Sequence, residues 1–294
     1  ILVKNLYMHR RKGKIMNILD MKFMKNFIKI TEDAWLKGWH ERNGGNITYR
    51  LTEEEVNEIR EVLNEENSFQ PIGVTVANLA NEYFLVTGSG KFIRNISLNP
   101  SENVGIVKID ERGENYKIVW GLENNARPTS ELPSHLMSHS IKKEKTNGLH
   151  RVIMHSHATN VIALTFVLPL DGKVFTRELW EMATECPVVF PDGIGVVDWM
   201  VPGGADIARE TAKLMEEHNA VIWAHHGIFC SEATLDLTFG LLDTIEKSAE
   251  ILVKVLSMGG KRQTIKPDNF RDLAIDFRVK LDEKYLYETE LVNA

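Results

Sequence analysis

The run Arg151-Val152-Ile153-Met154-His155-Ser156-His157 places three apolar residues ahead of a spaced pair of histidines. Its length and β-branched start predict a buried strand. Residues i and i+2 of a strand project to one face, so both imidazoles point the same way. Two neutral imidazoles on one face are half of a transition-metal site. A second apolar run, Ala220-Val221-Ile222-Trp223-Ala224, ends in His225-His226-Gly227. Gly227 would let the backbone turn sharply at that strand end. A third histidine arriving there could complete a three-His site. Adjacent strand residues face opposite sides, so only one of His225 and His226 can point at the metal, and spacing does not choose between them.

Working outward, strand-like and helix-like segments alternate from about residue 24 onward, which predicts one layered α/β domain. A first helix is expected over Phe23 to Arg42, stopped by Asn43-Gly44-Gly45-Asn46. Ile47 to Leu51 and Tyr83 to Thr87 read as strands, and Val104 to Ile109 with Tyr116 to Trp120 as a hairpin. Thr129-Ser130-Glu131-Leu132-Pro133 carries a hydroxyl, an acid and a proline, the signals of a helix start. Val188 to Phe190 and Ile194 to Val197 flank a Pro-Asp-Gly turn, and Asp206 to His218 reads as a helix. Leu235, Phe239, Leu242, Ile245, Ala249, Leu252 and Leu256 fall at helical spacing up to Gly259-Gly260.

Composition narrows the classes of function. Of 294 residues, 43% are hydrophobic and 26% charged, which excludes wholesale disorder. Residues 1–29 carry eight basic side chains against Asp20 alone, so +7, which leaves −13 on the rest of a chain whose net charge is −6. An acidic body disfavours nucleic acid as a partner. The longest apolar run, Val161 to Leu170, is broken by Thr165 and Pro169 and is too short to span a bilayer. Two cysteines, Cys186 and Cys230, make neither a disulfide framework nor a multi-cysteine zinc site, and no signal peptide is evident. A cytoplasmic location is therefore expected. Residues 1–24 are expected to be an extension, foreign to the domain or disordered, and 25–294 a single domain.

Other candidates are weaker. His135 and His139 stand at i, i+4, but the His-Glu-x-x-His pattern is absent, so a structural role is expected. Glu131, at a helix start, is favoured there by the helix dipole, and beside a metal it could act as a general acid or base. Asn43 to Asn46, Thr87 to Lys91 and Thr129-Ser130 expose backbone N–H groups suited to an anion. The Gly88-Ser89-Gly90-Lys91 stretch is not a P-loop, since Leu85 and Phe92 occupy required positions.

Taken together, these pieces resemble the class II aldolase/adducin family. The likeness is carried by Trp35 through Asn46, Val86 through Phe92, Pro128 through Pro133 and Val152 through Asn160. Leu179-Trp180-Glu181, Thr184-Glu185-Cys186 and His226-Gly227 complete it, and it covers about residues 25 to 265. The Glu…H-x-H…H-G order is typical of the whole family, whereas the Trp-rich helix and the Thr-Glu-Cys segment point to its rhamnulose branch. The resemblance implies a three-layer α/β/α domain with a mixed, mostly antiparallel central sheet. It implies one Zn²⁺ per subunit held by His155, His157 and His226, although three such ligands would also accept Co²⁺ or Mn²⁺. It makes Glu131 the catalytic acid/base and Glu185 a second acid reaching in from a neighbouring subunit of a homotetramer. Asn43, Gly45, Asn46, Ser89, Gly90, Thr129 and Ser130 fall on the phosphate and substrate loops. The implied reaction splits L-rhamnulose 1-phosphate into dihydroxyacetone phosphate and L-lactaldehyde, in rhamnose catabolism. Another sugar-phosphate aldolase or a 4-epimerase of the same family would share these parts. A non-catalytic adducin-like module would need neither the three histidines nor the Glu.

Overall fold

The structure is a computed structural model that describes residues 17–292. Most of the expected basic extension, residues 1–16, lies outside the described residues. Ile18, Phe23 and Met24 are buried in the main core. The strands are β1 (Asn46–Arg50), β2 (Gln70–Pro71), β3 (Tyr83–Thr87), β4 (Val104–Ile109), β5 (Asn115–Gly121), β6 (Val152–Ser156), β7 (Ile194–Val197), β8 (Ala220–Trp223) and β9 (Gly227–Glu232). The helices are α1 (Lys22–Leu36), α2 (Glu53–Ile59), α3 (Pro100–Asn103), α4 (Leu132–Lys145), α5 (Thr159–Leu164), α6 (Gly172–Trp180), α7 (Cys186–Val189), α8 (Ala205–Met215), α9 (Leu235–Ser257) and α10 (Pro267–Phe277).

All nine strands join one open sheet in the order β2-β5-β4-β3-β1-β6-β9-β8-β7. Every pairing is antiparallel except β7 with β8, as a mixed, mostly antiparallel sheet requires. Side chains alternate across each strand. Ile47, Leu85, Met154 and Ile228 pack with α1 and α9 on one face. Phe84, Val86, Ile153 and Phe229 face α4 and α8 on the other. The sheet is thus covered on both faces, in the three-layer arrangement.

Two expectations need correction. The first helix ends at Leu36 rather than Arg42. Gly38 adopts the left-handed φ of +79°, and its N–H donates to the Trp35 carbonyl, closing the last turn. Trp39 then turns into the core, which frees residues 40–45 to run over the end of the sheet. The second concerns Val188 to Phe190, expected only to flank a turn: Cys186–Val189 is a short helix with Pro187 in its first turn.

Candidate metal centre and its carboxylate

Four strand ends meet at one edge of the sheet: the starts of β1 and β9 and the ends of β3 and β6. Asn46 pairs with His155 across β1 and β6, and His155 pairs with Phe229 across β6 and β9. His155 is the fourth residue of β6, and His157 follows just beyond its end, anchored by its N–H donating to the Trp39 carbonyl at 2.9 Å. His226 closes the turn between β8 and β9. Potential ligand atoms of these three histidines all lie within 4.8 Å of one another.

The turn also separates His226 from its neighbour. His225, not Gly227, takes the left-handed conformation, with φ of +61°. Its ring nitrogen lies 3.1 Å from Thr165 Oγ1, and the ring packs against Phe166. Gly227 is needed for a different reason than the expected turn. A Cβ there would stand 2.4 Å from the Ser156 carbonyl oxygen and 2.9 Å from His155 Cε1. Only a bare backbone lets β9 approach the histidine-bearing strand this closely.

The tautomers follow from the hydrogen bonds. His155 Nδ1 lies 3.2 Å from the Ile228 carbonyl and donates to it, which leaves Nε2 as a lone pair. That Nε2 is buried without a partner in this fold. His157 Nδ1–H donates to Glu41 Oε1 at 2.7 Å, so its Nε2 is a free lone pair. Burial, with His157 nearby, pushes His226 down to about 4, and burial also holds His155 well below the ordinary histidine range. Neutral imidazoles with available lone pairs are the form that binds a divalent metal. An orphaned, buried His155 Nε2 among two further imidazoles fits such an ion.

Glu131 stands beside this group. Its Oε2 is 3.6 Å from His155 Nε2, and its Oε1 is 3.9 Å from His226 Nε2. The residue immediately precedes α4, and its N–H donates to Thr129 Oγ1 at 3.2 Å. Burial raises its pKa, opposed by the Asn46 amide, which donates to Oε2 at 2.8 Å, and by His157. Burial therefore favours the protonated form of a carboxyl that stands next to three imidazoles, the setting of a general acid/base. A cleft of about 480 Å³ opens beside the cluster, lined by Glu41, His157, Thr159, Ile162, His225 and His226 among others. A larger cavity of about 600 Å³, lined by Asp192 and Lys280 to Lys284 among others, contains none of these groups.

The anion-suited loops converge on the same edge. Thr129 N–H donates to the Thr87 carbonyl, and Ser89 N–H to the Arg127 carbonyl. Thr87 Oγ1 accepts from Ile47 N–H, which ties in the loop ending at Gly45 and Asn46. Asn43, Ser89, Gly90 and Ser130 are exposed, whereas Gly45 and Thr129 are buried. The Asn46 side chain is already engaged at both ends, by Glu131 and by His135. Glu185 is solvent-exposed at the N-terminus of α7, while Trp180 and Leu179 before it are core. No hydrogen bond joins it to the histidine group among the described residues. His135 and His139 are buried and share the Thr48 hydroxyl, away from the ligand set. Ser156 turns away from the cluster to meet His40 Nε2 at 2.8 Å. Sequence reasoning misses Glu41, whose contact with His157 depends on the early end of α1.

The model of the class II aldolase and adducin N-terminal domain family matches residues 25–253. A rhamnulose-1-phosphate aldolase of Mannheimia succiniciproducens is 55% identical over 90% of this chain and 97% of its own. One from Escherichia coli is 54% identical over 90% of this chain and 96% of its own. Among solved structures, a sugar-phosphate aldolase from Thermotoga maritima superposes with a TM-score of 0.69 at 28% identity, covering 80% of this chain and 95% of that one. An L-fuculose 1-phosphate aldolase, with a TM-score of 0.56 at 20% identity over 86% of this chain and 95% of that one, bears on the fold alone.

Proposed function

This chain belongs to the class II aldolase and adducin family, and on that premise we propose that it cleaves L-rhamnulose 1-phosphate into dihydroxyacetone phosphate and L-lactaldehyde. It is a class II aldolase, a carbon–carbon lyase. The observation that carries the reading is the Glu131 carboxylate, 3.6 Å from the orphaned Nε2 of His155 within the three-imidazole group. The substrate is taken from the two relatives that share over half of their residues with this chain.

His155, His157 and His226 would hold the divalent ion, and zinc is the assignment that suits three neutral imidazoles with room for further ligands. Such an ion supplies Lewis-acid polarisation of the ketose carbonyl. The protein's own groups supply the rest. Glu131 delivers a proton to the carbon that becomes C3 of dihydroxyacetone phosphate as the C3–C4 bond breaks. Glu185, from the adjacent subunit of a homotetramer, takes the proton from the C4 hydroxyl, whose oxygen becomes that of the aldehyde. Its exposure leaves it free to enter a neighbour's cleft. Asn43, Gly45, Asn46, Ser89, Gly90, Thr129 and Ser130 line the loops that bind the phosphate and substrate, and that remote binding fixes the reacting end. The setting is rhamnose catabolism in the cytoplasm. Cys186 and Cys230 are both free and buried, in keeping with a reducing compartment, and no helix among the described residues is long and apolar enough to cross a membrane.

The test is release of dihydroxyacetone phosphate from a panel of ketose 1-phosphates. Rhamnulose 1-phosphate should give the highest kcat/KM. A higher value with fuculose 1-phosphate, or epimerisation of ribulose 5-phosphate without cleavage, would overturn the substrate assignment.

A further inference from the structure

Behind Glu131 lies a row of buried polar side chains of which the chemistry above uses only Asn46, as part of a substrate loop. On the α4 face of β1, Asn46 and Thr48 stand two residues apart, as strand alternation dictates. From α4, His135 and His139 meet them at one-turn spacing. The contacts are continuous. His139 Nε2 lies 2.8 Å from Thr48 Oγ1, and Thr48 Oγ1 lies 2.9 Å from His135 Nδ1. His135 Nε2 contacts Asn46 Oδ1, and Asn46 Nδ2 donates to Glu131 Oε2 at 2.8 Å. All five side chains are buried.

We propose that this row is a one-directional chain of donated hydrogen bonds that ends on Glu131, with His135 as the positioning residue. The chain keeps Glu131 Oε2 as an acceptor and so fixes the orientation of the carboxyl group. This rests on the reading of Glu131 as the acid/base.

The direction follows from valence. An ionised carboxylate only accepts, so Asn46 must present its amide N–H₂ to Glu131 and its carbonyl to His135. His135 therefore carries its hydrogen on Nε2, and its Nδ1 accepts from the Thr48 hydroxyl. That hydroxyl has one hydrogen, so it must accept from His139 Nε2–H. The remaining atom, His139 Nδ1, is then a bare lone pair, and it is the atom of this row without a partner. Each ring needs to be neutral for this to hold. Burial pushes His135 down to about 3 and His139 well below the ordinary range, with His135, Arg50 and Arg151 also opposing charge on His139.

The consequence falls on Glu131. Its Oε2 is occupied by the Asn46 amide on the His155 side, and Oε1 faces His226. Without the His135 N–H, Asn46 can rotate its amide by half a turn and set a carbonyl against the carboxylate. That repels the ionised form and releases the fixed orientation.

The direct test is the tautomer of His135 in the zinc-loaded wild-type protein, read from side-chain ¹⁵N shifts and one-bond couplings. A hydrogen on Nε2 is expected, and a hydrogen on Nδ1 would overturn the chain. A pair of variants gives the kinetic test. His135→Gln keeps an amide donor where Nε2 stands, whereas His135→Asn places its amide near Nδ1 and loses that donor. The Asn variant should lose about 10- to 100-fold in kcat, the scale of small misplacements of reacting groups. The Gln variant should recover most of it, with KM and bound zinc unchanged in both. Equal kcat in the two variants, or a loss confined to KM, would overturn the positioning role. The tautomer measurement needs no variant to fold. A wild-type kcat in Glu131→Gln would instead overturn the reading of Glu131, and the tautomer would still decide the direction of the chain.

Discussion

The Glu41 carboxylate oxygen lies 2.7 Å from Nδ1 of His157, so the ring's other nitrogen is presented to His155 and His226. A carboxylate behind a metal-binding histidine fixes its tautomer and raises its basicity. Glu41 is exposed, and its reach to His157 depends on the chain leaving α1 at Gly38.

Glu41→Gln should weaken zinc binding by about tenfold, the low end of the effect expected for such partners, because water can replace an exposed carboxylate. Activity should return at saturating zinc. The check is competition with a fluorescent chelator. Unchanged zinc affinity would reduce Glu41 to a surface acid.

Glu131→Gln should retain zinc and the fold while kcat drops by about 10²- to 10⁴-fold, the usual share of a general acid/base. Gln still accepts from Asn46, so the loss should isolate proton transfer. Wild-type turnover with zinc bound would leave Glu131 as a residue that merely precedes α4 and is stabilised by the helix.

Much of this centre is legible in the sequence. The H-x-H at a strand end is a local pattern, and β6 forms where that pattern places it. Glu131 at a helix start is equally local, since Thr129, Ser130 and Pro133 announce it. The choice of His226 over His225 is not readable from spacing, because it depends on a left-handed residue in a turn that could equally fall on Gly227. Asn46 and His135 are 89 residues apart, and Thr48 and His139 are 91 apart. Only the packing of α4 on β1 joins them, so the sequence offers His135 and His139 a structural role but names no partner for either. Helix α6 is absent from the expected elements, although Asp171 caps it by accepting from Lys173 and Val174 N–H, and Phe175 and Leu179 bury its inner side.

Stability should fall as pH drops below about 6.5. Burial holds His135 down to about 3 and His150 down to about 4. The unfolded chain takes up protons at both sites near 6.5. Below that pH the unfolded state binds more protons, so unfolding free energy declines toward the folded pKa values. Each histidine contributes a slope of about 1.4 kcal/mol per pH unit once its unfolded form is protonated. Above 6.5 this contribution is fully present and flat. Urea midpoints at pH 7, 6 and 5 measure it. A constant midpoint over that range would mean that the two rings are not held neutral.

Mixed assemblies test Glu185. Glu185→Ala and Glu131→Gln should each be poorly active alone. Co-expressed and co-purified hybrids should exceed the mean of the parents, because some boundaries would join an intact Glu131 to an intact Glu185. Verified hybrids with no gain would confine Glu185 to its own chain.

The most direct test of the three-His centre is metal content set against activity in one preparation. Chelator treatment should strip the protein of a single divalent ion per chain and abolish release of dihydroxyacetone phosphate. Stoichiometric Zn²⁺ should restore it, and His157→Ala should lose metal and activity together. Full activity in a preparation shown to be metal-free would contradict the account.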